Sequence, residues 1–259
     1  MKLNKSRTEK KLNRYGLLDS LRGIVLISMI IYHGVWNMVY LYGYDWHWYL
    51  TEGAFLWQQS ICCTFILLSG FCWSMGKNPL KNGLMVFGSG LLVTAVTLKV
   101  MPQNRVVFGV LTCIGSCILL MTWLNRFCKM LPPVLGMVLS FFLFILFRGV
   151  NSGYLGTEGL RLAALPQSWY QGSGYDGYLR AYLGFPPKTF YSTDYFSLIP
   201  WVFLFFTGYF LYRIFNQKGW LGKRIFYVSI PGIQAMGQHS LLIYLLHQPV
   251  LYLVGSFLI

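Results

Sequence analysis

The sequence predicts an all-α, polytopic transmembrane helix bundle of about seven spans, with its N-terminus inside and its C-terminus outside. Three observations carry that expectation. Hydrophobic residues make up 56% of the 259 residues and charged ones only 11%, where a soluble domain carries about 25% charged residues. Seven mostly apolar stretches follow one another, each able to cross a hydrocarbon core of about 30 Å. The basic residues then fall on alternate connections, as the positive-inside rule requires.

The chain opens on a basic cytoplasmic tail, residues 1–16, holding Lys2, Lys5, Arg7, Lys10, Lys11 and Arg14 against Glu9 alone. The remainder, 17–259, forms a single transmembrane domain. Its spans are expected at 17–42, 53–75, 83–101, 106–124, 131–147, 195–215 and 240–258. With the tail inside, Lys77, Lys81, Arg126, Lys129, Arg213, Lys218, Lys223 and Arg224 lie inside as well. The inner face then carries +13 of the net +14, and the outer connections only +1. The excess is topological. Its partner is anionic membrane lipid, and nucleic acid is excluded.

The first span is too long for the apolar core of a signal peptide, opens on an Asp/Arg pair and lacks a small-residue cleavage site. It reads as an uncleaved anchor. Cys62, Cys63, Cys72, Cys113, Cys117 and Cys128 lie nearly all within spans and form no paired CxxC pattern, so they read as packing residues. One connection stands apart. Residues 148–194 make a long outer loop with GSGYDGY and GFPPKTFYSTDYF, too polar to span and rich in Tyr and Trp. Loops of that length are functional or disordered, and this composition favours a covered, functional surface.

Ionisable groups within a span are costly and are functional candidates. Arg22 and His33 are eleven residues apart, which leaves them about 20° apart around a helix and about 16 Å apart along it. Met29 and Asn37 fall on the same stripe, and Asp19 can pair with Arg22 one turn earlier. Such a face touches an inner site suited to anions and a deeper site suited to proton transfer, where imidazole is the natural group. The plainer alternative has Arg22 reaching inner phosphates and His33 hydrogen-bonding a neighbouring helix. Gln58, Gln59 and Ser69 in the second span are expected to face the bundle, because lipid cannot satisfy them. His247 in the last span needs a partner for the same reason. His239 reads as a cap or interfacial residue.

No Walker loop and no strand–GxGxxG–helix pattern is present. Ser69 and Ser116 have no basic partner nearby, so a serine hydrolase is unsupported. His33, His47, Asp45 and Glu52 match no metal-ligand spacing, and no metal is expected.

LLDSLRGIVLISMIIYH resembles the opening of the transmembrane acyltransferase superfamily, in particular bacterial relatives of the heparan-alpha-glucosaminide N-acetyltransferase catalytic domain. Arg22 and His33 match an arginine, ten residues and a histidine shared by the wider family. FILLSGF (65–71), VVFGVLTCIGSCILL and SLLIYLLHQPVL resemble its later motifs. Two positions depart: Asn37 stands where bacterial relatives often carry Asp, and Thr112 where they often carry His. The resemblance implies an acyltransferase of the plasma (inner) membrane that takes acetyl-CoA, or another short acyl-CoA, as donor and a sugar or glycan as acceptor. It implies that Arg22, with Asp19 and Met29, lies on the donor's path and that His33 acts as base or acyl carrier. His47 is the second catalytic candidate, because lysosomal members use a histidine in that following region. Asn37, Gln58, Gln59, Ser69 and His247 would support the site. A transporter or a lipid- or sugar-binding membrane protein without acyl transfer explains the same stripe as a permeation path, but the spans show no inverted repeat or broken-helix pair. Association into a homo-oligomer stays open.

Overall fold

The computed structural model describes residues 15–258, so most of the basic tail lies outside the described residues. Nine α-helices dominate the described residues. They are α1 Gly16–Tyr40, α2 Glu52–Trp73, α3 Pro79–Val100, α4 Val110–Met130, α5 Pro133–Leu146, α6 Gly174–Leu183, α7 Leu198–Gln217, α8 Pro231–Gln238 and α9 Ser240–Leu258. Among the described residues seven candidate spans result, formed by α1–α5 (α5 prolonged to Ser152), α7 and α9. Proline opens α3, α5 and α8, where its missing N–H is one of the donors the first turn leaves unpaired anyway.

The chain divides into two compact units. One consists of residues up to Phe65 together with Phe215–Ile259. Here α1 packs on α8 and on α9. The approach to α8 is set by glycines. A Cβ on Gly237 would lie 1.8 Å from the Asp19 carbonyl oxygen, and one on Gly23 would lie 2.1 Å from that of Ile233. The apolar centre of this unit is Leu26, Met29 and Ile61, flanked by Tyr32, Trp57, Phe65, Met236 and Tyr244. The Trp57 indole donates to Ser28 Oγ at 2.8 Å, tying α2 to α1. Ser20 Oγ accepts the Ile230 amide at 3.1 Å, holding the segment before α8 under the start of α1. Pro249 lies inside α9.

The other unit, Ile66–Ile214, is built on α3 against α4 and on the end of α2 against α7. Glycines again allow the contact. A Cβ on Gly70 would lie 1.9 Å from the Phe205 carbonyl oxygen, and one on Gly208 would lie 2.1 Å from that of Leu67. The glycine of the SGF motif is therefore a point of backbone-to-backbone packing. Arg213 closes α4, donating to the carbonyls of Cys128, Lys129 and Leu131.

The fourth span differs from the sequence expectation by several residues at both ends. It starts late because Phe108 takes a left-handed conformation, φ 56°, and Gly109 follows it. It runs past the apolar stretch because Asn125 is satisfied by the Tyr209 hydroxyl at 2.8 Å.

Residues 148–194 are ordered. They contain an antiparallel hairpin, β1 Tyr154–Thr157 and β2 Leu160–Ala164, with a bulge at Leu155/Gly156. The ten-residue helix α6 follows. Arg180 pairs with Asp176 at 2.8 Å, and its guanidinium donates to the Ser168 and Trp169 carbonyls.

Candidate functional site

The stripe expected on α1 forms. At its start Arg22 Nη1 meets Asp19 Oδ1 at 3.4 Å, with the Arg22 side chain 26% exposed and that of Asp19 6%. Gln238 at the end of α8 reaches Asp19 Oδ2 from the other side, at 3.4 Å. Asp19 thus orients a cation that is still open on one side. Met29, next on the stripe, is buried in the apolar centre of the unit.

Three turns along, His33 meets the last span. Its ring centroid is 4.9 Å from that of His247, the planes tilted by 52°. Gln248 Nε2 lies 3.2 Å from His33 Nδ1. With the Gln248 amide nitrogen placed there as donor, His33 Nδ1 is assigned as the acceptor, which leaves Nε2 to carry the proton of a neutral ring. His247 shows the opposite tautomer. Its Nδ1 contacts the Tyr244 carbonyl oxygen, which only accepts, so Nδ1 holds the proton and Nε2 is left bare. That Nε2 is buried without a hydrogen-bond partner.

One turn beyond His33, Asn37 is 2% exposed, and neither its Oδ1 nor its Nδ2 has a partner. A buried amide left unpaired costs about 1–3 kcal/mol. Persisting groups of that kind point to something that binds them. Two residues with unpaired buried polar atoms therefore flank His33: Asn37 one turn on along α1, and His247 across from it on α9.

The other sequence candidates take different places. His47 sits on a short turn, His47–Leu50. Its Nε2 is 3.2 Å from Asp45 Oδ2, with both side chains about four-fifths exposed. Gln59 donates to Gln58 at 2.9 Å. Ser69 belongs to the second unit, next to the close-packed Gly70. His239 is exposed, and its carbonyl accepts the Ile243 amide at the start of α9. Among the described residues no group of three His, Cys, Asp or Glu could hold a metal ion.

Sequence reasoning missed Gln248 as the partner of His33. The signal was adjacency. Residues 247 and 248 are about 100° apart on a helix, so one facing span can lie between their side chains.

In the second unit the outer segment forms a small cleft of about 110 Å³, lined by Arg105, Tyr178, Phe190 and Tyr191 among others. The Arg105 guanidinium lies 5.6 Å from the Tyr191 ring centroid, and Phe190 stacks on Phe108 at 6.0 Å. Beside it Asp194 accepts the Val110 amide at the start of α4. Burial pushes its carboxyl up to about 6, although the Val110 bond pulls the other way.

No curated protein and no solved structure matches the chain. One protein-family match does: the family described as heparan-alpha-glucosaminide N-acetyltransferase, catalytic, over residues 14–249. That stretch holds the Arg22 and His33 stripe, both histidines of the buried pair and the whole of the second unit. The chain therefore belongs to the heparan-alpha-glucosaminide N-acetyltransferase catalytic-domain family, as a multi-pass membrane protein.

Proposed function

We propose that this protein transfers an acetyl group from acetyl-CoA to a hydroxyl or amine of a sugar or glycan, with His33 at the centre of the chemistry. The observation that carries the reading is the buried His33–His247 contact. It lies in a chain whose family match spans 14–249. Neutral imidazole buried in a bundle is able to act as a general base or to carry an acyl group. The donor's phosphates would meet Arg22, whose guanidinium is partly open and steadied by Asp19. Its thioester would meet His33, beside which the Asn37 amide has a free donor for a carbonyl oxygen. Within the second unit, the aromatic cleft of the outer segment has the chemistry of a sugar-binding surface, since Tyr and Phe faces suit the apolar faces of sugars and Arg105 suits their hydroxyls. The basic connections would face the cytoplasm of a plasma (inner) membrane, and 148–194 the outside.

His33→Ala is expected to lower acetyl transfer by about 10²–10⁴-fold while leaving a folded protein. Purified protein, radiolabelled acetyl-CoA and glucosamine as acceptor test this. Undiminished transfer by the variant overturns the assignment of His33. Arg22→Ala is expected to raise KM for acetyl-CoA with a smaller change in kcat, because a phosphate contact binds donor and transition state alike.

A further inference from the structure

The two imidazoles are not equivalent, and their hydrogen bonds say which nitrogen is free to take a proton. Gln248 donates to His33 Nδ1, so that lone pair is engaged and the ring presents Nε2–H. His247 is fixed the other way round by the Tyr244 carbonyl. Its Nε2 lone pair points to no partner, and the residue is 7% exposed. Within the pair, His247 Nε2 is therefore the one imidazole lone pair not already occupied. We infer that His247 is the general base of the reaction, and that His33 serves the acyl side.

This assignment rests on the acetyl-transfer reading and refines it. The acceptor's O–H or N–H proton passes to His247 Nε2 as its oxygen or nitrogen bonds to the thioester carbon. The C–S bond breaks, and the departing sulfur takes the proton back from Nε2–H to leave as CoA thiol. The Tyr244 carbonyl keeps Nδ1–H in place throughout and stabilises the transient imidazolium. His33 Nε2–H and the Asn37 amide are left as donors for the carbonyl oxygen, on which charge grows in the transition state. No carboxylate is required, since a backbone carbonyl orients the base.

The test measures release of CoA thiol from acetyl-CoA, with glucosamine as acceptor, in purified full-length protein. His247→Ala is expected to lose at least about 100-fold in kcat with KM for acetyl-CoA within about twofold, and added imidazole is expected to restore part of the loss. Imidazole should not restore His33→Ala to the same extent, because a free imidazole is not held by Gln248 in the donor orientation. A His247→Ala protein as active as the wild type overturns the inference. So does one that is inactive, binds CoA normally and gains nothing from imidazole. If His247→Ala is not monodisperse, His247→Asn keeps a donor toward Tyr244. A folded His247→Asn protein with normal CoA binding is expected to be inactive, and retained turnover in it overturns the inference. A wild-type protein that releases no CoA overturns the acetyl-transfer reading itself, and this assignment with it.

Discussion

Asp194 shows how much a single side chain contributes to the entrance of a span. Its carboxylate receives the first amide of α4, yet burial raises its folded carboxyl from 3.8 to about 6. The folded state therefore holds this proton more tightly than the unfolded chain does. The resulting stability is complete below about pH 3.8 and is lost as pH rises through about 6. Asp194→Asn keeps an acceptor for Val110 and removes the titration. Its melting temperature should gain on that of the wild type between about pH 4 and 6, and parallel melting curves across that window would disprove the role. Residues of this kind were partly legible in the sequence. Arg22, His33 and Asn37 stood out because a helical period places them on one face of α1, a purely local property. Gln248 and Asp194 did not, because each acquires its meaning from a segment 215 or about 84 positions away. The left-handed Phe108 carried no signal either, since backbone strain in a non-glycine residue is imposed by its surroundings.

At the scale of elements, close helix contacts are the feature most exposed to test. Gly237 faces the Asp19 backbone, and an added methyl would sit 1.8 Å from its carbonyl oxygen. Gly237→Ala must push α8 away from α1, at about 1–3 kcal/mol. It also draws Gln238 from Asp19. The expected outcome is a lower melting temperature together with a higher KM for acetyl-CoA, and a protein unchanged in both would show that α8 does not set the position of Arg22. Gly70→Ala, by contrast, should lower stability through its contact with Phe205. The number and order of the spans were readable because hydropathy reports them directly. The ends of α4 were not, since they depend on Gly109 and on the hydroxyl of Tyr209. The hairpin in 148–194 escaped notice for a further reason. Every residue of β2 is exposed, so the strand lacks the alternation that marks a half-buried one, and only the Glu158–Gly159 turn was available as a cue.

For the molecule as a whole, the exposed apolar faces set the environment. Leu84, Leu91, Leu92 and Leu98 of α3, and Val134, Leu135, Val138, Phe141 and Phe142 of α5, lie open. Faces of that extent belong against lipid. The orientation of the chain in that lipid is a matter of charge. Gly159 and Gly222 both have open space where a side chain would go, so each tolerates cysteine. In intact cells Gly159→Cys should react with a membrane-impermeant maleimide and Gly222→Cys should not. The reverse pattern would invert the topology and overturn the proposed approach of acetyl-CoA to Arg22 from the cytoplasmic side.

Pro249 follows directly after His247 and Gln248. Having no N–H, it leaves the Leu245 carbonyl without its usual donor. The turn of α9 that holds both contacts to His33 therefore has one hydrogen bond fewer to break than its neighbours. Amide exchange along α9 should begin at this turn, and a donor that grips His33 and His247 together should slow it there first. The same proline thus makes the turn that meets His33 the natural bending point of its helix, so that the contacts of two side chains and the posture of the last span are joined at one place.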